Sequence, residues 1–234
     1  MASHGVQLGN PTSVDATKVL TATGNATINA NFVNNGEVNG PTGSGQWLTF
    51  TQFVKGAGST TGNVEYQASY QPSNSPDAVL VQNVLLDRTS TLIMELDGAM
   101  PGSGYDQLDI SGLATLNGTL DVELLNGYMP SIGDRYVILN GKMTGSFVSL
   151  DLASLPPGMS WDTSALYSQG TITVTPEPST FALLAAFAVG LVGYGWRRRA
   201  RRTAKPAAFD HQDAPPILAF PSHSSSASAA RRAA

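Results

Sequence analysis

Apolar and polar residues alternate in short runs along most of the chain. In TLDVELL (119–125), Leu120, Val122 and Leu124 fall on one side and Thr119, Asp121 and Glu123 on the other. A period of two is that of a strand with one buried face. Leu92, Met94 and Leu96 repeat it in TLIMEL, and TATGNATINANFV, WLTFTQFV, NVEYQASY, AVLVQNVLL, QLDISG, RYVILN, SFVSLDL and TITV are further β-branched runs of strand length. No stripe with helical spacing occurs before residue 179, so an all-β body is expected. Five Asn-Gly pairs, at 35–36, 39–40, 117–118, 126–127 and 140–141, supply the positive φ that tight turns need. They leave two architectures open, an antiparallel β-sandwich closed by hairpins and a stack of parallel coils with these residues at the corners.

The pattern changes at residue 175. Pro176, Glu177 and Pro178 end the last strand, and Pro178-Ser179-Thr180 stands where a helix start is expected. From Phe181 to Trp196 there are 16 residues without charge, about 24 Å of helix and about 27 Å with Ser179 and Thr180, against a bilayer core of about 30 Å. The run is apolar on every side, closes with Tyr194 and Trp196, and is followed by Arg197, Arg198, Arg199, Arg201 and Arg202. An aromatic belt before a basic anchor predicts a transmembrane helix over 179–196, with residues 1–178 outside and the arginines in the cytoplasm. Four segments follow: an N-terminal stretch 1–27, a β passenger 28–174, a C-terminal segment 175–202 with its basic cluster at 197–202, and an Ala/Ser/Pro-rich tail 203–234 expected to be disordered.

Charge separates the same parts. Residues 1–176 carry 5 Lys/Arg against 14 Asp/Glu, a balance of −9, whereas from Ser179 onward 8 Lys/Arg face 2 Asp, a balance of +6. Glu177 supplies the remaining −1 of the total −4. A body this poor in positive charge argues against nucleic-acid binding. The N-terminal MASHGVQLGNPTSVDATKVL has neither a basic nor a continuous apolar region of the kind that directs secretion. The expectation is that the protein is not exported or that the start lies inside a longer product.

Candidate chemistry is sparse. With no cysteine, thiolate nucleophiles and Cys-ligated metals are excluded, and His4, His211 and His223 lie at the chain ends, away from the body. In GPTGSGQW, Gly40 and Gly45 have phosphate-loop spacing, but Gln46 and Trp47 replace the lysine and hydroxyl residue that such a loop requires. Asp121 and Glu123 share a strand face and are the pair to weigh for glycan cleavage. Asp106 and Asp109, with Asp97, Asp134, Asp151 and Asp162 near turns, are the oxygens to weigh for calcium, although no calcium-loop motif is present. A solvated strand face is the expected role of these acids. Trp47 and Trp161 are candidates for stacking on sugars, with half-buried packing the simpler expectation. No catalytic residue, cofactor or metal is expected.

Two resemblances add to this reading. Residues 28–150, and most specifically the block Leu92–Leu139, resemble the autotransporter-like β-solenoid proteins of bacterial surfaces, which implies the end of a right-handed parallel β-helix. Such units usually follow longer arrays of coils, and only about 90 residues precede Leu92 here. Pro176-Glu177-Pro178, the apolar run and the arginine cluster, contiguous and in order, resemble the PEP-CTERM sorting signal of Gram-negative bacteria that make extracellular polysaccharide. This implies recognition of Pro176, Glu177 and Pro178 by an exosortase-type membrane protease and delivery of the body to the cell surface or matrix. Family members usually end soon after the basic cluster, whereas this chain continues for 32 residues from Thr203. The expected function is that of an exported structural or adhesive surface protein rather than an enzyme. Its expected partners are a membrane, the processing protease and extracellular polysaccharide, with polysaccharide binding or cleavage as the alternative.

Overall fold

A computed structural model describes residues 6–7, 12–74, 76–177 and 180–203. It divides into two compact units, Met1–Ser179 and Thr180–Ala234.

In the first unit the chain passes back and forth between two sheets. One sheet receives β1 (Val6–Gln7), the other β2 (Ser13–Val14). The chain then gives β3 (Val19–Thr21) and β4 (Ala26–Ile28) to the first, β5 (Phe32–Asn34) to the second, β6 (Glu37–Asn39) and β7 (Leu48–Phe50) to the first, and β8 (Val54–Lys55) to the second. The alternation continues with β9 (Ser59–Tyr66), β10 (Ser69–Gln71), β11 (Ala78–Leu86), β12 (Thr91–Leu96), β13 (Gln107–Leu116) and β14 (Thr119–Leu124), all but β10 longer than the strands before them. After β15 (Arg135–Val137), the chain returns to the two sheets with β16 (Leu139–Gly145) and β17 (Ser149–Leu152). Every pairing within these two sheets is parallel, so like residues stack from rung to rung: Leu92 on Leu120, and Leu120 on Leu150.

Stacking turns the alternation read in the sequence into a continuous interior. Leu92, Met94 and Leu96 of β12 and Leu120 and Val122 of β14 are buried. A file of aromatic rings runs through earlier rungs, with Phe32 and Phe50 centroids 5.0 Å apart, Phe50 and Tyr66 5.6 Å, and Tyr66 and Tyr70 4.0 Å. Each fully buried large apolar side chain of this kind contributes about 1.5–3 kcal/mol.

The first sheet bends partway along its strands. β9 pairs with β6 through its first half and with β7 through its second, and the register breaks between Val81 and Val84 and between Ile110 and Ala114. Backbone groups interrupted at the bend find side-chain partners. Asn63 Nδ2 donates to the carbonyls of Gly43 (3.1 Å) and Gln46 (3.0 Å), Asn83 Nδ2 donates to Asn63 Oδ1 (3.0 Å), and the Leu113 amide donates to Asn83 Oδ1 (3.1 Å). Asn140-Gly141, expected to be a turn, instead lies inside β16 at this bend, where only glycine fits, since a Cβ at Gly141 would meet the Ile110 carbonyl oxygen at 2.2 Å.

The last rung is followed by a small antiparallel sheet in which β19 (Thr171–Pro176) lies between β15 and β18 (Met159–Asp162). A single helical turn, α1 (Leu166–Gln169), leads into β19 and ends on Gly170 in the left-handed conformation. Tyr136, Ile172, Val174 and Leu166 are buried there, and the Tyr136 ring meets Tyr105 edge-on at 5.2 Å and Trp161 at 6.0 Å.

The all-β expectation fits this body, and parallel pairing in both large sheets replaces the antiparallel β-sandwich. The transmembrane helix expected over 179–196 is corrected. Within the second unit, α2 (Thr180–Thr203) is a helix of 24 residues, yet among the described residues no helix is long and apolar enough to cross a membrane. Its charge-free stretch reaches only about 24 Å, Gly190, Gly193, Gly195 and Tyr194 dilute its apolarity, and arginines take up its last turns. Without a span, the arginines fix no orientation across a membrane. Apart from Thr203, the expected disordered tail lies outside the described residues, as does part of segment 1–27.

Candidate functional site

The C-terminal segment starts from a folded strand. In β19 the buried Ile172 and Val174 face inward, and the ladder with β18 runs to Pro176, opposite Met159. Proline suits this last position because it has no N–H to leave without a partner. Glu177 follows without slack, its amide donating to the Gly158 carbonyl at 3.0 Å. Pro176 and Glu177 are both exposed, so the first two residues of the expected recognition motif are presented at the end of the central strand of the small sheet. Pro178 lies outside the described residues.

Phe181, Trp196 and the five arginines all fall on α2. Phe187, Val189, Leu191, Val192, Tyr194 and Trp196 are exposed, Trp196 at 75%, and Arg197 and Arg199 are exposed after them. So many large apolar side chains in contact with solvent mark a surface meant for another apolar phase or partner.

The acidic residues weighed in the sequence are dispersed. Asp121 and Glu123 lie on the outer side of β14, with Asp151 of β17 level with Asp121 on the next rung. Partial burial, then the charges of Glu123 and Asp151, raise the Asp121 carboxyl above its ordinary value. Asp97 accepts from Asn126 Nδ2 at 2.9 Å, Asp109 from Asn140 Nδ2 at 2.7 Å, and Asp134 from the Ser131 amide at 2.7 Å. Asp162 accepts the Ser164 amide at 2.9 Å, which lowers its carboxyl. Each secures a separate turn or rung. Among the described residues no group of three His, Cys, Asp or Glu side chains stands ready to hold a metal.

Trp161 packs against Tyr136 and donates from Nε1 to the Ala153 carbonyl at 2.8 Å, a half-buried structural role. Trp47 is half-buried, and its amide is held by Asn25 Oδ1 at 2.9 Å. In the 40–47 loop, carbonyls rather than amides converge, on Asn63 Nδ2, so its polarity is wrong for a phosphate. The three histidines lie outside the described residues.

Asp106 does not lie on a solvated strand face, the role expected for these acids. It is buried with Ser73 and Glu95 in a hydrogen-bonded group that sequence reasoning missed. Glu95 occupies the position in TLIMEL where alternation points a side chain outward. It is covered only because the corner after β10 folds over it, a long-range event with no local signal.

A family model described as a PEP-CTERM protein-sorting motif matches residues 174–199. No curated protein and no solved structure matches the chain. Residues 174–199 are therefore a C-terminal sorting signal for exosortase-dependent export, implying processing by an exosortase-type system, membrane association and a secreted, envelope-associated protein. The likeness of residues 28–150 to autotransporter-like proteins finds no support in these comparisons.

Proposed function

We propose that the chain is a non-enzymatic surface or matrix protein whose β body is the cargo and whose residues 174–199 are the address. The carrying observation is that the matched motif begins inside β19, the last strand of the body, so the address and the folded cargo are continuous. In this reading α2 holds the protein at the membrane through its exposed apolar side chains and arginines until the segment is processed. The displayed body then serves as a structural or adhesive element. The rows of polar side chains on its outer faces, Asp121 and Asp151 among them, support a solvated display surface.

Expression of the full chain with its native upstream sequence, in a host that carries an exosortase-type system, tests this. The body is expected at the cell surface in a shortened form, and Pro176→Ala with Glu177→Ala is expected to leave it unprocessed. Full-length protein that stays in the cytoplasm, or processing indifferent to the double substitution, would overturn the reading. Release of oligosaccharides by the purified protein, lost in Asp121→Asn, would overturn the non-enzymatic part.

One observation favours polysaccharide as the adhesive partner. Two open hollows of about 520 and 400 Å³ share Leu80 on the outer side of the first sheet, one lined by Lys18, Glu37 and Ser59, the other by Asp109 and Asn140. Hydroxyl, amide and charged groups repeating from rung to rung beside exposed Val19 and Leu80 suit a polar chain with apolar ring faces. Saturable binding to the host's matrix polysaccharide, lost in Asp109→Ala/Asn140→Ala at a temperature where circular dichroism shows the variant folded, is the expected result.

A further inference from the structure

Three segments meet out of contact with solvent: the corner after β10, the end of β12 and the approach to β13. Ser73 and Asp106 are fully buried and Glu95 is 8% exposed. Asp106 Oδ1 accepts the Asp77 amide at 3.0 Å, and Oδ2 accepts the Glu95 amide at 2.9 Å. Glu95 Oε1 accepts Gln71 Nε2 at 2.8 Å. Between the two carboxyl groups stands Ser73, its Oγ 3.1 Å from Asp106 Oδ2 and 3.3 Å from Glu95 Oε2.

A serine hydroxyl has one hydrogen. If Ser73 gives it to Asp106, Glu95 Oε2 faces Ser73 Oγ with no proton between them, and giving it to Glu95 leaves the same gap at Asp106. Both contacts are satisfied only when the pair of carboxyl groups holds one proton in addition. With two charges the group carries an unfilled contact and a like-charge pair in a poorly solvated place, which is costly. The other groups facing it do not relieve that cost. Gln71 is neutral, the buried Tyr70 is kept neutral by burial and by Asp106 beside it, and the Asp77 carboxylate is turned to the Ala78 amide at 2.7 Å.

We propose that Ser73, Glu95 and Asp106 form a one-proton clasp that fastens the chain at Gln71, Ser73 and Asp77 to β12 and to the start of β13 in mild acid and loosens as the pH rises to neutrality. Burial, the largest cause, pushes the Asp106 carboxyl up to about 6, and the charge of Glu95 adds to the rise, while the amides of Glu95 and Asp77 and the Ser73 hydroxyl oppose it. The folded state therefore holds this proton more tightly than the unfolded chain, whose carboxyl titrates near 3.8. The stabilisation is complete below that value and is lost as pH rises through about 6, the reverse of ordinary acid denaturation.

Glu95→Gln tests the clasp, since a glutamine amide can donate permanently to Ser73 Oγ while its carbonyl keeps the bond from Gln71. Unfolding of the full-length wild type and variant is followed from pH 4 to 8. The wild type's folding equilibrium constant relative to that of the variant is expected to fall severalfold between pH 4 and 7, the part of the dependence that Glu95 contributes, since burial of Asp106 acts in both proteins. A ratio that does not change with pH would overturn the proposal. Carboxyl carbon NMR of the wild type provides a measurement that does not depend on the variant folding. One buried carboxyl titrating near 6 is expected, and titration of every carboxyl below about 5 would overturn it.

Discussion

Gly118 joins β13 to β14 with φ at +67°, and a Cβ there would lie 2.2 Å from the Ser90 carbonyl oxygen. Gly127 has a similar φ, +73°, with nothing within 4 Å of the same position. The pair separates two penalties that a count of Asn-Gly turns merges. Gly127→Ala pays only the left-handed strain, about 1–2 kcal/mol, whereas Gly118→Ala also forces the rung beneath it to move and is expected to cost more, about 3 kcal/mol or above. Chemical denaturation of the two variants checks the order. Of the five Asn-Gly pairs, those ending in Gly118, Gly127 and Gly141 have positive φ and those ending in Gly36 and Gly40 do not, and Asn140-Gly141 shows what the dipeptide could not reveal. There the same freedom serves a close approach within a sheet, because the neighbouring strand lies far away in sequence. Asp106 and Glu95 were illegible for the same reason, their surroundings being supplied by Ser73 from another rung.

Elements were legible to the extent that their signals were local. The runs in AVLVQNVLL, TLIMEL and TLDVELL became β11, β12 and β14, but WLTFTQFV is divided between β7 and β8, and the single turn of α1 is too short to leave a stripe. The bend in the first sheet was hidden because Asn63 and Asn83 read as ordinary outward polar residues. Their role can be measured. Asn63→Ala removes both donations to the 40–47 loop and the acceptor for Asn83, and should cost about 1–3 kcal/mol by leaving partly buried groups unpaired. Hydrogen exchange should quicken first at residues 43–46 and next along the bend. At α2 the existence of the helix was legible from its apolar composition, while the membrane crossing was not, because length and glycine content left it short.

At the scale of the whole molecule, alternation predicted an all-β body, and direction was the missing quantity: residues of one strand do not record whether the next rung runs with it or against it. The parallel rungs of the two large sheets end at the antiparallel trio β15, β19 and β18, whose packing centres on Tyr136. Tyr136→Ala is expected to lower stability by about 3–5 kcal/mol through the cavity it leaves. The loss should register as a lower midpoint for the entire body in thermal unfolding, since Tyr136 touches Tyr105 ahead of β13 as well as Trp161 in β18. The position of β19 between two partners has a mechanical consequence. Its hydrogen bonds run across the strand and its exit carries the address. A pull on residues 177 onward, from a processing enzyme or from whatever the protein is tethered to, loads the β15 ladder in shear, since β15 continues into β16 at the end away from the pull, and meets the β18 ladder at Met159, opposite Pro176. The body is thereby built to bear tension through the end by which it is delivered.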